Sequence, residues 1–153
     1  MSDAAPCEVW FYQLERASLE QVLPDLLEKT LARGWRAQVR AQAEDRLEQI
    51  DSWLWSWRDD AFLPHGLATE PMAERQPVLL TTAADNLNGA QALFLIDSSD
   101  EGDISPYVRC IVVFDGKDEE ALALARRRWS RIRAGGYPVS YWRQGERGWE
   151  KQA

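Results

Sequence analysis

The sequence predicts an α/β fold, with one open and mostly parallel sheet that carries helices on both of its faces. Short segments rich in β-branched and aromatic residues alternate along the chain with longer segments of helical periodicity. Two of the later strand-like segments are almost entirely apolar, as strands covered on both faces are. The chain has 153 residues, 45% of them hydrophobic, which is enough for one sizeable core. Residues 1–153 are therefore expected to form a single domain.

The beginning of the chain predicts a strand, a helix and a second strand. Glu8–Leu14 is rich in aromatic and β-branched residues, which indicates a strand. Ser18 and Gln21 have the spacing of a capping box, and apolar residues then recur at helical spacing up to Gly34. Residues 35–41 alternate apolar and polar side chains, the pattern of a strand with one more exposed face.

A second helix is predicted from Glu44 to about Trp57. Its apolar face consists of Leu47, Ile50, Leu54 and Trp57. At about 100° per residue, Trp55 lies roughly 80° around the helix from Leu47, away from this face, and is predicted to face outwards. A turn-like segment at residues 62–66 and a polar loop at residues 68–77 follow.

The rest of the chain predicts four strands and one helix. Three strands are predicted at Val78–Thr81, residues 92–96 and residues 109–114. The acidic segment 97–105 between the last two is expected to be a solvated loop. The last helix is predicted from about Asp118 to Ala134, followed by an edge strand over residues 137–142 and a polar tail.

The predicted sheet is Rossmann-like, but the sequence lacks the phosphate-binding loop of such folds. No GxGxxG follows the first strand, and no GxxxxGK[ST] occurs anywhere. The single histidine, His65, follows a proline in a turn and is expected to be a structural hydrogen-bonding residue. Cys7 and Cys110 have no neighbouring cysteine and are expected to be reduced thiols. We therefore predict no cofactor, no bound metal and no enzymatic activity.

Charge is distributed unevenly along the chain. The formal net charge is −7, but residues 1–116 carry a net −11 and residues 117–153 a net +4. The overall charge argues against a protein that coats nucleic acid, whereas the basic end favours one specific anionic partner. No apolar stretch exceeds five residues, and the N-terminal segment lacks the pattern of a secretory signal. A cytoplasmic location with no membrane partner is expected.

The most prominent local feature is a run of five arginines within residues 126–133, on the last predicted helix. At helical spacing Leu122 and Trp129 belong to the apolar stripe, and Arg126 and Arg133 lie together along one flank of it. One interpretation is a solvated basic face at a helix C-terminus. The other is an anion site, for an acidic peptide with an aromatic anchor or for a single-stranded nucleic acid that stacks on Trp129.

Trp55 and Phe62 flank the turn after the second helix. An exposed tryptophan is often a loose edge of the core, but two large aromatic residues around a turn also suit the anchor of a partner protein. They lie on a different element from the arginines, and two separate binding surfaces would indicate an adaptor.

The chain resembles the chi subunit of bacterial DNA polymerase III holoenzyme over nearly its whole length. The resemblance rests on the opening strand, the leucine helix, residues 51–55 with the turn at 62–65, and the arginine-rich helix that closes on Gly135-Gly136-Tyr137. The Phe-Leu-Pro-His turn and the arginine-rich helix are its most specific parts. It implies a non-catalytic subunit of the clamp-loader assembly, with a nucleotide-binding-like α/β fold that has no nucleotide site.

The resemblance also implies a partner. Similar proteins bind the acidic C-terminal tail of single-stranded DNA-binding protein, which ends in a phenylalanine carboxylate, and so contact nucleic acid only indirectly. The family's tail-binding residues fall on Arg126 and Trp129. Arg133 joins them by its position on the helix, and Leu122 is expected to form the pocket wall.

A second partner is implied at Trp55 and Phe62, where the family's anchor for the psi subunit falls. Since psi is not found in every lineage, the alternatives are that another replication or repair protein occupies this site or that no partner does. Leu122 and Ser130 stand where some relatives carry lysine, which predicts weaker tail binding or a greater dependence on Arg126. Direct binding of single-stranded nucleic acid through the arginine-rich helix is the alternative function.

Overall fold

The computed structural model describes residues 6–56 and 63–153. In these ranges the chain forms eight strands and three α-helices, in the order β1 (Glu8–Leu14), α1 (Leu19–Ala32), β2 (Ala37–Arg40), α2 (Glu44–Ser56), β3 (Gly66–Leu67), β4 (Val78–Thr81), β5 (Ala92–Leu95), β6 (Arg109–Asp115), α3 (Glu119–Ala134), β7 (Val139–Gly145) and β8 (Gly148–Lys151). The strands form one sheet in the order β3-β4-β2-β5-β6-β1-β7-β8. Neighbouring strands are parallel except for β7 and β8, which are antiparallel.

The sheet divides the hydrophobic core into two clusters. On one face, α1 and α2 contribute Leu23, Leu27 and Leu47 to the first cluster. On the other face, α3 packs over β6 and β7 and contributes Ala125 and Ile132 to the second cluster. Helices therefore lie on both faces of a mostly parallel sheet, and the predicted fold class is confirmed. None of the helices in the described ranges is long and apolar enough to cross a membrane.

The helices begin close to where the sequence predicts them. The Ser18 hydroxyl accepts a hydrogen bond from the Gln21 N–H (3.3 Å), and the Gln21 side chain accepts one from the Ser18 N–H (2.9 Å), so the capping box is confirmed. Asp118 caps α3 through its carboxylate, which accepts hydrogen bonds from the N–H groups of Glu120 and Ala121. The apolar face of α2 is buried at Leu47, Ile50 and Leu54, and Trp57 lies outside the described residues.

One proline lies inside α1 and is compensated from α2. Pro24 has no N–H, so the carbonyl of Glu20 loses its donor within the helix. The indole N–H of Trp53 donates to this carbonyl instead, over 2.5 Å. The two helices are thus joined by a hydrogen bond where α1 lacks one of its own.

The prediction that β2 has an exposed face is wrong. Gln38 and Arg40 are only 0% and 3% exposed. The Arg40 guanidinium donates to the side-chain oxygen of Gln38 (2.9 Å), to the hydroxyl of Tyr107 (3.1 Å) and to the carbonyl of Glu101 (2.9 Å). The polar residues of this central strand therefore form an internal hydrogen-bond network instead of facing solvent.

The sequence predicts a strand over residues 137–142 at the edge of the sheet. The strand is present, but it does not lie at the edge. β7 lies between β1 and β8, because the chain beyond residue 145, expected to be a polar tail, folds back as β8. Trp149 is the half-buried residue of β8 and the others are exposed, so little burial imposes an alternating pattern on this edge strand. The two-residue strand β3 at the other edge is likewise not predicted.

Candidate functional site

The arginine-rich helix and the neighbouring strand form one surface, here called the α3–β7 surface, which consists of Leu122, Arg126, Trp129, Arg133 and Tyr141. Trp129 is half-buried and packs edge-to-face on Phe11 and on Tyr141, with 5.7 and 5.8 Å between ring centroids. Phe11 is itself completely buried in the second cluster. These ring contacts fix the orientation of the Trp129 indole.

The four residues of α3 that the sequence predicts for the tail-binding site lie on one side of the helix. They are Leu122, Arg126, Trp129 and Arg133. They are spaced by four, three and four positions, which places them in line along the axis. Leu122 and Trp129 are half-buried against the second cluster, and Arg126 and Arg133 are exposed. Sequence reasoning misses Tyr141, because its place beside Trp129 depends on the pairing of β7 with β1.

Two of the five arginines hold the fold together. Arg128 is 4% exposed and donates to the carbonyls of Ser98 and Ser99, and its Nε lies 3.6 Å from a carboxylate oxygen of Glu101. Arg131 is exposed, but it also pairs with Glu101. The loop between β5 and β6, expected to be solvated, instead supplies a buried carboxylate that fixes α3 in place.

The other three arginines are available to a ligand. Arg126, Arg127 and Arg133 are exposed, and their side chains make no hydrogen bond or ion pair among the residues that the structure describes. Burial raises the pKa of Tyr141, and the positive charge of Arg126 opposes this rise. The Tyr141 hydroxyl donates to the side-chain oxygen of Gln13, which holds the ring in place. The surface thus combines free guanidinium donors with a fixed aromatic floor.

Trp55 lies on α2, across the sheet from α3. Its side chain is 55% exposed, as predicted. The indole rests on His65, with 4.2 Å between the ring centroids. His65 is buried, with Nδ1 2.6 Å from the Leu63 carbonyl and Nε2 3.2 Å from the Asp51 carbonyl. His65 therefore has the expected structural role and supports Trp55, while Phe62 lies outside the described residues.

The loop between β1 and α1 lies where nucleotide-binding folds hold a phosphate. The backbone N–H groups of Glu15, Arg16 and Ala17 all donate to the side-chain oxygen of Gln144 on β7, over 3.1, 2.8 and 2.9 Å. The side-chain oxygen of Gln144 thus occupies the position between these three N–H donors, where a nucleotide-binding fold holds a phosphate oxygen.

A cavity of about 520 Å³ lies next to this loop, at the carboxyl ends of β1 and β6. Arg46 of α2 crosses it and pairs with Glu20 of α1 and with Asp97 after β5, each over 2.6 Å. Burial would raise the pKa of Glu20, but hydrogen bonds from the backbone and from Arg46 outweigh it and hold the pKa below its usual value. Arg46, Glu20 and Asp97 at the cavity wall are therefore paired with one another.

Both cysteines are free and buried. Burial raises the pKa of the Cys7 thiol to about 12 and also raises that of Cys110, so neither thiol is activated as a nucleophile. Among the described residues, no group of three or more His, Cys, Asp and Glu side chains is placed to hold a metal ion.

The fold and these surfaces define an α/β protein of nucleotide-binding-like topology, with an exposed tryptophan on α2 and, within the described ranges, exposed and unpaired arginines on α3. A family model described as DNA polymerase III chi subunit, HolC, matches residues 7–140. The chain therefore belongs to the family of DNA polymerase III chi subunits, a family of accessory subunits in DNA replication.

A curated relative has the same description. A protein of Rickettsia prowazekii (strain Madrid E), named as a probable DNA polymerase III subunit chi, is 27% identical to this chain over 89 residues. The aligned segment covers 58% of this chain and 54% of that protein, so the chain spans about half the length of the relative.

Proposed function

We propose that this chain is a non-catalytic accessory subunit of the DNA polymerase III clamp-loader assembly. In this role it binds the acidic C-terminal tail of single-stranded DNA-binding protein at the α3–β7 surface and links that protein to the replicase. The observation that carries the proposal is the half-buried Trp129 between two exposed, unpaired arginines on a chain of net charge −7. Membership of the chi family supports the replicase part of the role.

The chemistry of the surface suits an acidic tail that ends in phenylalanine. The terminal phenylalanine ring needs an apolar contact surface. The edge of Trp129, together with Leu122 and Tyr141, provides one. The terminal carboxylate needs a planar donor pair, which Arg126 beside Tyr141 can provide. Arg133, about one turn beyond Trp129, is placed for an acidic residue further up the tail.

The second proposed partner, the psi subunit or another replication protein, docks at Trp55. The exposed indole is held by His65 beneath it, so little conformational freedom is lost when a partner covers it. A cavity of about 360 Å³ beside the indole, lined by Pro64, Pro71 and Gln76, gives a partner side chain room to enter. Phe62 belongs to this surface by the family resemblance alone.

Fluorescence polarisation tests the tail proposal. A labelled acidic peptide of about nine residues ending in phenylalanine is compared with the same peptide without that residue and with a labelled oligothymidine. We expect binding that disappears with the terminal phenylalanine. Oligothymidine binding that is lost in Arg126→Ala, with no peptide binding, would contradict the proposal and favour direct contact of nucleic acid with the arginine-rich helix.

A further inference from the structure

A second surface rich in tryptophan lies on the other side of the sheet from α3. Four of the chain's eight tryptophans, Trp10, Trp35, Trp142 and Trp149, are half-buried around the first cluster. Trp10 packs on Trp142 with 5.9 Å between ring centroids, and Trp149 of β8 stacks on Tyr12 at 4.4 Å. Trp10, Trp142 and Trp149 therefore form a row on the adjacent strands β1, β7 and β8, and all three rings are partly exposed to solvent. Trp35 lies beyond this row, just before β2.

Basic residues line the end of this row nearest to α1. The guanidinium of Arg109 lies 3.9 Å from the centre of the Trp10 ring and 5.2 Å from that of Trp35. The guanidinium of Arg33 lies 4.3 Å from Trp35. Together with Lys29 these residues line a groove of about 220 Å³, here called the tryptophan groove.

The groove carries an excess of positive charge that the chain does not neutralise. Lys29 and Arg33 are exposed, and their side chains have no ion pair among the described residues. Arg109 is mostly buried, its Nε has no hydrogen-bond partner among those residues, and Glu8 lies 3.9 Å from one of its terminal nitrogens. Burial and the nearby charge of Arg33 lower the pKa of Arg109. Arg33 and Arg109 repel each other and Glu8 is the one carboxylate close to Arg109 in the described ranges, so the net positive charge of the groove favours an anionic ligand.

We propose that the tryptophan groove binds a short stretch of single-stranded DNA, with phosphates on Lys29, Arg33 and Arg109 and bases stacked along the row of indoles. Aromatic rings on successive β-strands can stack with successive bases of single-stranded DNA. A peptide with one terminal ring needs only one aromatic contact. The groove faces away from α3, so the strand and the protein tail can be bound at the same time. When this chain is attached to DNA-bound single-stranded DNA-binding protein through the tail, the effective concentration of DNA at the groove is high. A weak contact between the groove and the DNA is then sufficient for binding.

Polarisation of a labelled oligothymidine of about 15 nucleotides, at about 20 mM sodium chloride, tests the proposal. We expect Lys29→Glu and Arg33→Glu each to weaken binding by about fivefold or more, because each places a negative charge beside a phosphate. The matched control, Arg127→Glu, makes the same charge change on exposed α3 and should alter binding by less than about twofold. All three positions are exposed, and equal melting temperatures would verify that the variants fold.

Salt dependence and competition complete the test. Contact with two or three phosphates predicts a slope of log affinity against log salt of about −1.4 to −2. An excess of unlabelled acidic peptide ending in phenylalanine should leave the oligonucleotide bound. Absence of binding at low salt, equal weakening by Arg127→Glu, or displacement by the peptide would each overturn the proposal. The first two outcomes do not bear on whether the peptide itself binds at α3, whereas displacement would show that the peptide and the oligonucleotide use overlapping sites.

Discussion

The side-chain oxygen of Gln144 accepts three backbone hydrogen bonds, and a single residue of β7 thereby fixes the loop between β1 and α1. Successive N–H groups that converge on one point attract an anion in many phosphate sites. Here the amide satisfies them from within, so the loop is ordered by the fold itself. Because Gln144 lies far along the chain from this loop, its role could not be predicted from the sequence.

In a Gln144→Ala variant the N–H groups of Glu15, Arg16 and Ala17 lose this acceptor and must donate to water instead. We expect Gln144→Ala to lower the free energy of unfolding by about 1–2 kcal/mol, because two of the three lost hydrogen bonds are partly buried. Urea unfolding followed by circular dichroism measures the change. Gln152→Ala is the control, since this exposed side chain donates only to the Glu150 carbonyl. Equal stability of the two variants would show that the three hydrogen bonds contribute nothing.

The arginines show what sequence can and cannot assign at the residue scale. Helical spacing places Arg126 and Trp129 together correctly, because both lie on one regular element. It does not separate Arg128 and Arg131, which contact Glu101, from the unpaired arginines. That separation depends on Glu101, which lies in the loop between β5 and β6. Only the tertiary structure places this loop beside α3.

At the scale of elements, α1 and α2 are coupled through the carbonyl that Pro24 leaves free. We expect Trp53→Phe to destabilise the fold by about 0.5–1.5 kcal/mol, because it removes the N–H that serves this carbonyl. In a Pro24→Ala background the helix supplies its own N–H, so the same change should cost less. A double-mutant cycle of urea unfolding measures the coupling. Equal costs in both backgrounds would mean that the indole hydrogen bond does not compensate for the proline.

Arg46 joins α1, α2 and the end of β5, and its contribution depends on pH. The pKa of Glu20 is lower in the folded chain than its ordinary value of about 4.3. Stabilisation by this pair is therefore complete above that ordinary value and is lost as the pH falls through the lowered pKa. We expect Arg46→Gln to be less stable than the wild type at neutral pH, and the difference to shrink below about pH 4.

Urea midpoints of both proteins over a series of pH values check this expectation. Arg127→Gln on the exposed side of α3 is the control, because it removes one positive charge from a side chain that is unpaired in the described part of the chain. A difference between Arg46→Gln and the wild type that stays constant from neutral to acidic pH would exclude the Glu20 pairing as its source.

The elements that the sequence predicts well are those with one-sided or complete apolar burial, such as β1, β6 and α3. β2 departs from the prediction because Gln38 and Arg40 are buried among hydrogen-bond partners that come from elsewhere in the chain. β8 departs from it because an edge strand is exposed and its pairing with β7 depends on the backbone, not on side-chain pattern.

At the scale of the whole molecule, the sheet separates the proposed partners. The α3–β7 surface lies on one face, and Trp55 with α2 lies on the other. Ligands on opposite faces do not compete for space, which suits a subunit that connects two proteins. The charge split along the sequence predicted a basic end, but only the folded arrangement separates free arginines from those used to hold the loop before β6.

The affinity of the acidic phenylalanine-terminated peptide for Arg126→Ala, compared with Arg127→Ala, tests the central claim most directly. Both residues are exposed neighbours on α3, but only Arg126 lies on the α3–β7 surface. We expect Arg126→Ala to lose about 1.5–3 kcal/mol of binding free energy, or about 10- to 150-fold in affinity, and Arg127→Ala to change the affinity by less than about twofold. A loss below a few tenths of a kcal/mol in Arg126→Ala, or equal losses in both variants, would contradict the claim.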